Sequence, residues 1–236
     1  PRDGSRQSRA VRAVRAVLVV RAVCVVRCAL IVLAIRFLPA PFAPLGVSGI
    51  ALVTAALPWL PGPPVVGYAA LFIGSSVLFL ATAPAILRAS LSGPQLASLL
   101  ALLFLLRAAF LFTTPIGSDD FHRYLWDGRV QAAGLNPYRH APGDPELQPL
   151  HTATLPRLVN HPTLKTPYFP LAEWTFRLAH GLSRESVWGM KVLLLLAEAL
   201  AVVGLLLLLR QLGRPPGHVL LYAAAPLAIF QFAIDA

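Results

Sequence analysis

Residues 37–87 read FLPAPFAPLGVSGIALVTAALPWLPGPPVVGYAALFIGSSVLFLATAPAIL, without one charged side chain. A helix that crosses a bilayer needs about 20 apolar residues. The run therefore holds two, and Pro58, Pro61, Pro63 and Pro64 mark the turn between them. The spans are expected over about 42–60 and 65–87. Downstream, a third apolar segment (95–113) follows Gly93-Pro94 and carries Arg107 near its far end. A fourth (188–209) starts with Lys191 and holds Glu198, and a fifth runs from Val219 to Ile234. Glu198 is expected to face protein or a cavity rather than lipid. The expected fold class is all-α: a polytopic transmembrane helical protein with a long outward-facing loop containing short helices. Because the chain stops at or just after the fifth span, it is read as a fragment of a longer membrane protein.

Composition agrees. The 236 residues are 57% hydrophobic and 13% charged, with a mean hydropathy of +0.69. An ordinary soluble domain carries about 25% charged residues, so global disorder is excluded and the composition argues against a soluble fold. Two cysteines, Cys24 and Cys28, make no disulfide scaffold. The net charge of +10 suggests nucleic acid until its distribution is read. Residues 1–40 hold eight arginines and one aspartate, whereas 114–186 hold seven basic and seven acidic residues. A nucleic-acid groove gathers its cations on one face, so no nucleic-acid partner is expected. The arginines at 6, 9, 12, 15, 21, 27 and 36 drift round all sides of a helix. Residues 1–40 are therefore read as an Arg-rich, low-complexity, non-spanning segment, followed by transmembrane helices over 41–113. With that segment in the cytoplasm, Arg88, Arg210 and Arg214 fall inside, in keeping with the positive-inside rule. Residues 114–187 then fall outside, before the membrane helices of 188–236.

That loop carries the chemistry. It holds five of the six histidines, three of the five tyrosines and nine of the 22 prolines. Loops of this length are uncommon unless functional. Ser118 is expected to cap a helix whose first turn holds Asp119 and Asp120. Arg123, Tyr124 and Asp127 lie three, four and seven residues beyond Asp120, along one side of that helix. Gly134-Leu135-Asn136-Pro137-Tyr138 stops it. A second cluster, Asn160-His161-Pro162 through Lys165, Tyr168 and Ala172, follows.

The run SDDFHRYLWDGRVQAAGLNPYRHAP, followed by VNHPTLKTPYFPLAE, resembles the membrane-embedded GT-C glycosyltransferases. Within them it is most similar to bacterial mannosyltransferase-like members that use polyprenyl-phosphate sugars. It is also distantly similar to the first mannosyltransferase of GPI-anchor synthesis. The resemblance covers about residues 95–236. It implies a plasma-membrane enzyme with its catalytic loop on the extracytoplasmic side and an aspartate as base, here Asp119 or Asp120. The chain departs from the pattern at Tyr168-Phe169-Pro170, where such members often have Tyr-Pro-Pro. It also places about three apolar segments before the loop, where one is usual.

The chemistry suits these residue types. An acceptor hydroxyl loses a proton as it attacks the anomeric carbon, and one carboxylate can take it. A phosphate leaves without an acid, unlike the two-carboxylate case of glycoside hydrolysis. The donor phosphate is assigned to Arg123 and Arg129, with Lys165 third. Tyr124, Tyr138 and Tyr168 are expected to line a sugar site, with Asp127, Asn136 and His161 as further substrate contacts. No HExxH or short Cys/His pair occurs, so no metal ligands are assigned. No cofactor is required, while a divalent cation (Mg or Mn) at Asp119 and Asp120 stays open. The expected partners are a polyprenyl-phosphate sugar donor, a lipid or glycan acceptor and membrane lipids. Two alternatives stand beside the transferase. A transporter or flippase of lipid-linked sugars predicts matching halves with broken midplane helices, and a non-catalytic scaffold tolerates Asp120→Asn.

Overall fold

The computed structural model of the protein describes residues 42–56 and 64–235. The Arg-rich segment and most of the proline turn lie outside the described residues. Among the described residues the structure is helical with no strand. The helices are α1 (Phe42–Ala55), α2 (Pro64–Arg88), α3 (Gly93–Ala109), α4 (Phe121–Ala132), α5 (Pro170–Ser183) and α6 (Trp188–Gln211). A broken segment follows, Pro216–Ala223 and then Pro226–Ile234, bent by 56°.

Two helices, Val65–Arg88 and Trp188–Gln211, are long and apolar enough to cross a membrane, and the bent pair makes a third if it counts as one span. Helices α1 and α3 are apolar but shorter, with 14 and 17 residues. Helix α1 stops at Ala55, short of the expected 60. Helix α3 has 17 residues and stops at Ala109, where Phe110, Leu111 and Thr113 turn the chain through hydrogen bonds to Arg107, Ala108 and Phe110 carbonyls. Its start is fixed by a capping box between Ser92 and Gln95, with Pro94 in the first turn. The expected fifth span breaks at Ala225-Pro226, where proline cannot donate a helical hydrogen bond.

The apolar core joins α1, α2, α3, α6 and the broken segment through Val47, Ile50, Ile86, Leu103, Val202, Leu220 and Phe230. One charged pair sits inside it. Arg107 Nε and Nη2 donate to the two Glu198 oxygens at 2.6 and 3.2 Å. The remaining donors reach Leu103 and Ala223 carbonyls at 3.2 and 3.0 Å. Glu198 thus faces protein, as expected from the cost of an unpaired charge in lipid. A second, smaller core of Leu125, Trp126, Val130, Leu147, Leu155 and Val159 organises the polar segment between α3 and α6.

Candidate active site

Helix α4 is the frame of the site. It begins at Phe121, after an Asp120 that is already in helical backbone. The expected cap is therefore shifted: Ser118, three residues before the first helical residue, accepts at Oγ from Asp120 N–H at 3.2 Å. Asp119 and Asp120 thus precede the first turn rather than occupy it. At the other end Gly134, with φ of 79°, closes the helix. Gly134 and Leu135 N–H reach the Gln131 and Val130 carbonyls at 3.0 and 3.1 Å, a Schellman motif. Helix α5 packs closely on α4 because Gly128 has no side chain. A Cβ there would meet the Phe176 carbonyl oxygen at 2.4 Å.

The two sequence clusters meet at two hydrogen bonds. Asn160 Nδ2 donates to Asp119 Oδ1 at 2.5 Å. Arg123 Nη1 donates to the Leu164 carbonyl at 2.9 Å. Asp119 is exposed and Asp120 half-buried. Burial lowers the His122 pKa, and the Asp119 carboxylate opposes that shift. Burial raises the Tyr124 and Tyr168 pKa values, and the charge of Asp120 adds to both. Tyr124 stacks on Phe176 at 4.6 Å and meets Tyr168 edge-on at 5.3 Å.

Arg123 is turned inward. It is buried, and its Nε donates to both Asp127 oxygens at 3.0 and 2.8 Å. Its Nη2 is buried without a partner. Arg129 donates to the Leu150 carbonyl at 2.8 Å and pairs with Glu185. Burial lowers the Arg129 pKa. Asn136 Oδ1 accepts from Tyr138 N–H at 2.9 Å, and Tyr138 O–H donates to the Tyr168 carbonyl at 2.7 Å. Lys165 and His161 are exposed, and His161 adopts a left-handed φ of 52°. Asp127 is buried against Arg123.

Three further side chains frame the site. Glu173 of α5 is buried beside Asp127. Its oxygens accept from Thr166 Oγ1 at 2.6 Å and Gln131 Nε2 at 2.7 Å. Burial, with the charge of Asp127, pushes the Glu173 carboxyl up to about 7. Burial also raises the pKa of Asp127, opposed by Arg123. The signal was present in Glu173 itself, an acid three residues before Phe176 on one helix face. The second is Asp235, which the sequence puts at the outer end of the fifth apolar segment, where it can return to the site. Its Oδ1 accepts from Gly117 N–H at 2.7 Å, and its Oδ2 accepts from Tyr68 O–H. A Cβ on Gly117 would meet Asp235 Oδ2 at 2.5 Å, so the loop entrance fits glycine. The third is Lys191, buried in α6, whose Nζ donates to the Phe110 and Ile234 carbonyls at 3.1 Å each. Lys191 and Asp235 thereby tie the ends of α3 and of the broken segment to the loop base. Among the described residues no group of three or more His, Cys, Asp or Glu could hold a metal ion.

The joined clusters, set beside apolar spanning helices, match one family. The chain belongs to the MptA_B family. The family is described as alpha-(1->6)-mannopyranosyltransferase, N-terminal domain, and its model matches residues 45–235. The match begins about fifty residues before the resemblance seen in the motifs alone. No curated protein and no solved structure matches the chain. The protein is a GT-C type integral membrane mannosyltransferase.

Proposed function

We propose that the protein transfers mannose from a polyprenyl-phosphate donor to a hydroxyl of a lipid or glycan acceptor, with inversion at the anomeric carbon. The site lies on the extracytoplasmic face of the bacterial plasma membrane. The observation that carries the reading is the Asn160–Asp119 hydrogen bond. It ties two motif clusters together at an exposed carboxylate on the edge of the apolar bundle. The acceptor oxygen attacks the anomeric carbon as the C–O bond to phosphate breaks. Asp119 or Asp120 takes the acceptor's proton, and the polyprenyl phosphate leaves as an anion. Asp119 is the better placed, being exposed while the Asn160 amide fixes its oxygen. Arg123 is buried and bound to Asp127, so the exposed Lys165 is the cation open to the donor phosphate. The step needs no cofactor, and a Mg or Mn ion bound near the donor phosphate would be held by Asp119 and Asp120.

The test is transfer from radiolabelled polyprenyl-phosphate mannose in membranes bearing wild type, Asp119→Asn or Asp120→Asn. Loss of about 10²–10⁴-fold in one variant, at equal protein level, is expected of a base. Equal transfer in all three removes both aspartates from the mechanism.

A further inference from the structure

At the far end of α4 lies a cleft of about 340 Å³, lined by Gln131, Asn136, Tyr138, Glu173 and Trp174 among others. Its lining sets polar side chains beside two aromatic rings. Trp174 is 66% exposed and Tyr138 39% exposed, although both are rings that normally seek burial. Asn136 spends its carbonyl on Tyr138 N–H and keeps its amide NH₂ as a donor. Gln131 spends its NH₂ on Glu173 and keeps its carbonyl as an acceptor. Such a site suits a neutral polyhydroxyl ligand: flat rings for its C–H face, and amides for its hydroxyls. Packed side chains also link the cleft's wall to the reacting end. Tyr138 bonds the Tyr168 backbone, Tyr168 packs on Tyr124, and both tyrosines feel the charge of Asp120. At 1.5 Å per residue, Asp120 and Gln131 stand about 17 Å apart along α4, a separation that calls for a chain of linked sugars rather than a single one.

We infer that this cleft is a distal subsite for a hexose chain, holding the acceptor's earlier sugars while its end reaches the Asp119–Asp120 corner. The inference rests on the transferase reading for its acceptor, so it is tested by binding as well as by transfer. Purified protein in detergent is titrated with α-(1→6)-linked mannobiose and mannotetraose, followed by saturation-transfer NMR. Wild type is expected to bind the tetraose more tightly than the biose by about fivefold, the scale of one aromatic contact. Trp174→Ala and Asn136→Asp should abolish the preference; the latter keeps the acceptor for Tyr138 N–H and replaces the donor by a charged oxygen. Leu178→Ala removes another exposed α5 side chain, one outside the cleft, and should keep the preference. The inference is overturned if wild type shows no length preference or Trp174→Ala retains it. It is also overturned if Leu178→Ala flattens the preference equally, which makes Trp174 a membrane anchor. Asp119→Asn should keep the preference while losing transfer. Retained transfer in both Asp119→Asn and Asp120→Asn, with length preference intact, sinks the base assignment and leaves the subsite standing.

Discussion

Arg107 in the membrane bundle and Arg123 in the loop are both buried arginines bound to a carboxylate, and they are not alike. Arg107 meets one acid, Glu198, and each of its three nitrogens has an oxygen partner. Arg123 meets Asp127 while a second acid, Glu173, lies within the same network, and its Nη2 has no partner. The first arrangement is balanced in charge and in hydrogen bonds, which is what an apolar medium demands. The second holds two carboxyls for one guanidinium, and its neutrality depends on a proton. A balanced pair joins elements, whereas an unbalanced cluster responds to pH and to ligand. The difference marks which part of the molecule is framework and which is site.

The comparison breaks most violently at Glu198. Removing its carboxyl in Glu198→Ala leaves Arg107 charged and unpaired in the core, which costs about 3–5 kcal/mol. Unfolding in detergent should show it as a large loss of thermal stability. Replacing both partners by apolar residues of similar size, Arg107→Met with Glu198→Leu, should recover most of that loss. A small effect of Glu198→Ala would mean that the pair is hydrated, and the contrast with Arg123 would fall.

Glu173 offers a sharper test with the opposite sign. Its carboxyl, ordinarily near 4.5, is pushed to about 7 in the folded protein. The folded state therefore keeps a proton that the unfolded state releases between those values. Stability falls as pH rises through this window, and is flat above it. Glu173→Gln imitates the protonated acid and still offers hydrogen-bonding groups to Thr166 and Gln131. It should match wild type near pH 4.5 and exceed it by about 1–3 kcal/mol at pH 8. Melting curves across that range check it. Identical pH profiles for the two proteins would show that Asp127 and Arg123 alone set the balance.

How much of this was legible beforehand follows the same division. The spanning character of α2 and α6 was written in length and hydropathy, which act through local chain composition. The inward turn of Glu198 was legible because lipid punishes a lone charge. The ends of α1 and α3 were not, since apolar residues continue past them and the stops are made by turns and prolines. In the loop, the sequence named Asp119, Arg123, Tyr124 and Asn160 but not their partners. Asp119 meets Asn160 across 41 positions, and Asp235 meets Gly117 across 118. No periodicity encodes such pairings. Arg123 was expected to face a phosphate, yet Asp127, at helical spacing, draws most of its guanidinium inward.

The smallest expected effect tests where the boundary between framework and site runs. Tyr138 donates to the Tyr168 carbonyl at 2.7 Å, but it is partly exposed. Tyr138→Phe keeps the ring and removes this one bond. In water-exposed surroundings that costs about 0.5 kcal/mol, because solvent can serve the freed carbonyl. Thermal unfolding should then shift little, while the preference for longer mannosides declines if the hydroxyl orients the ring for the cleft. A loss above about 1.5 kcal/mol would mean that water does not reach this carbonyl. Tyr138 would then belong with Arg107, holding elements together, and the aromatic wall of the cleft would be structural rather than a surface kept open for sugar.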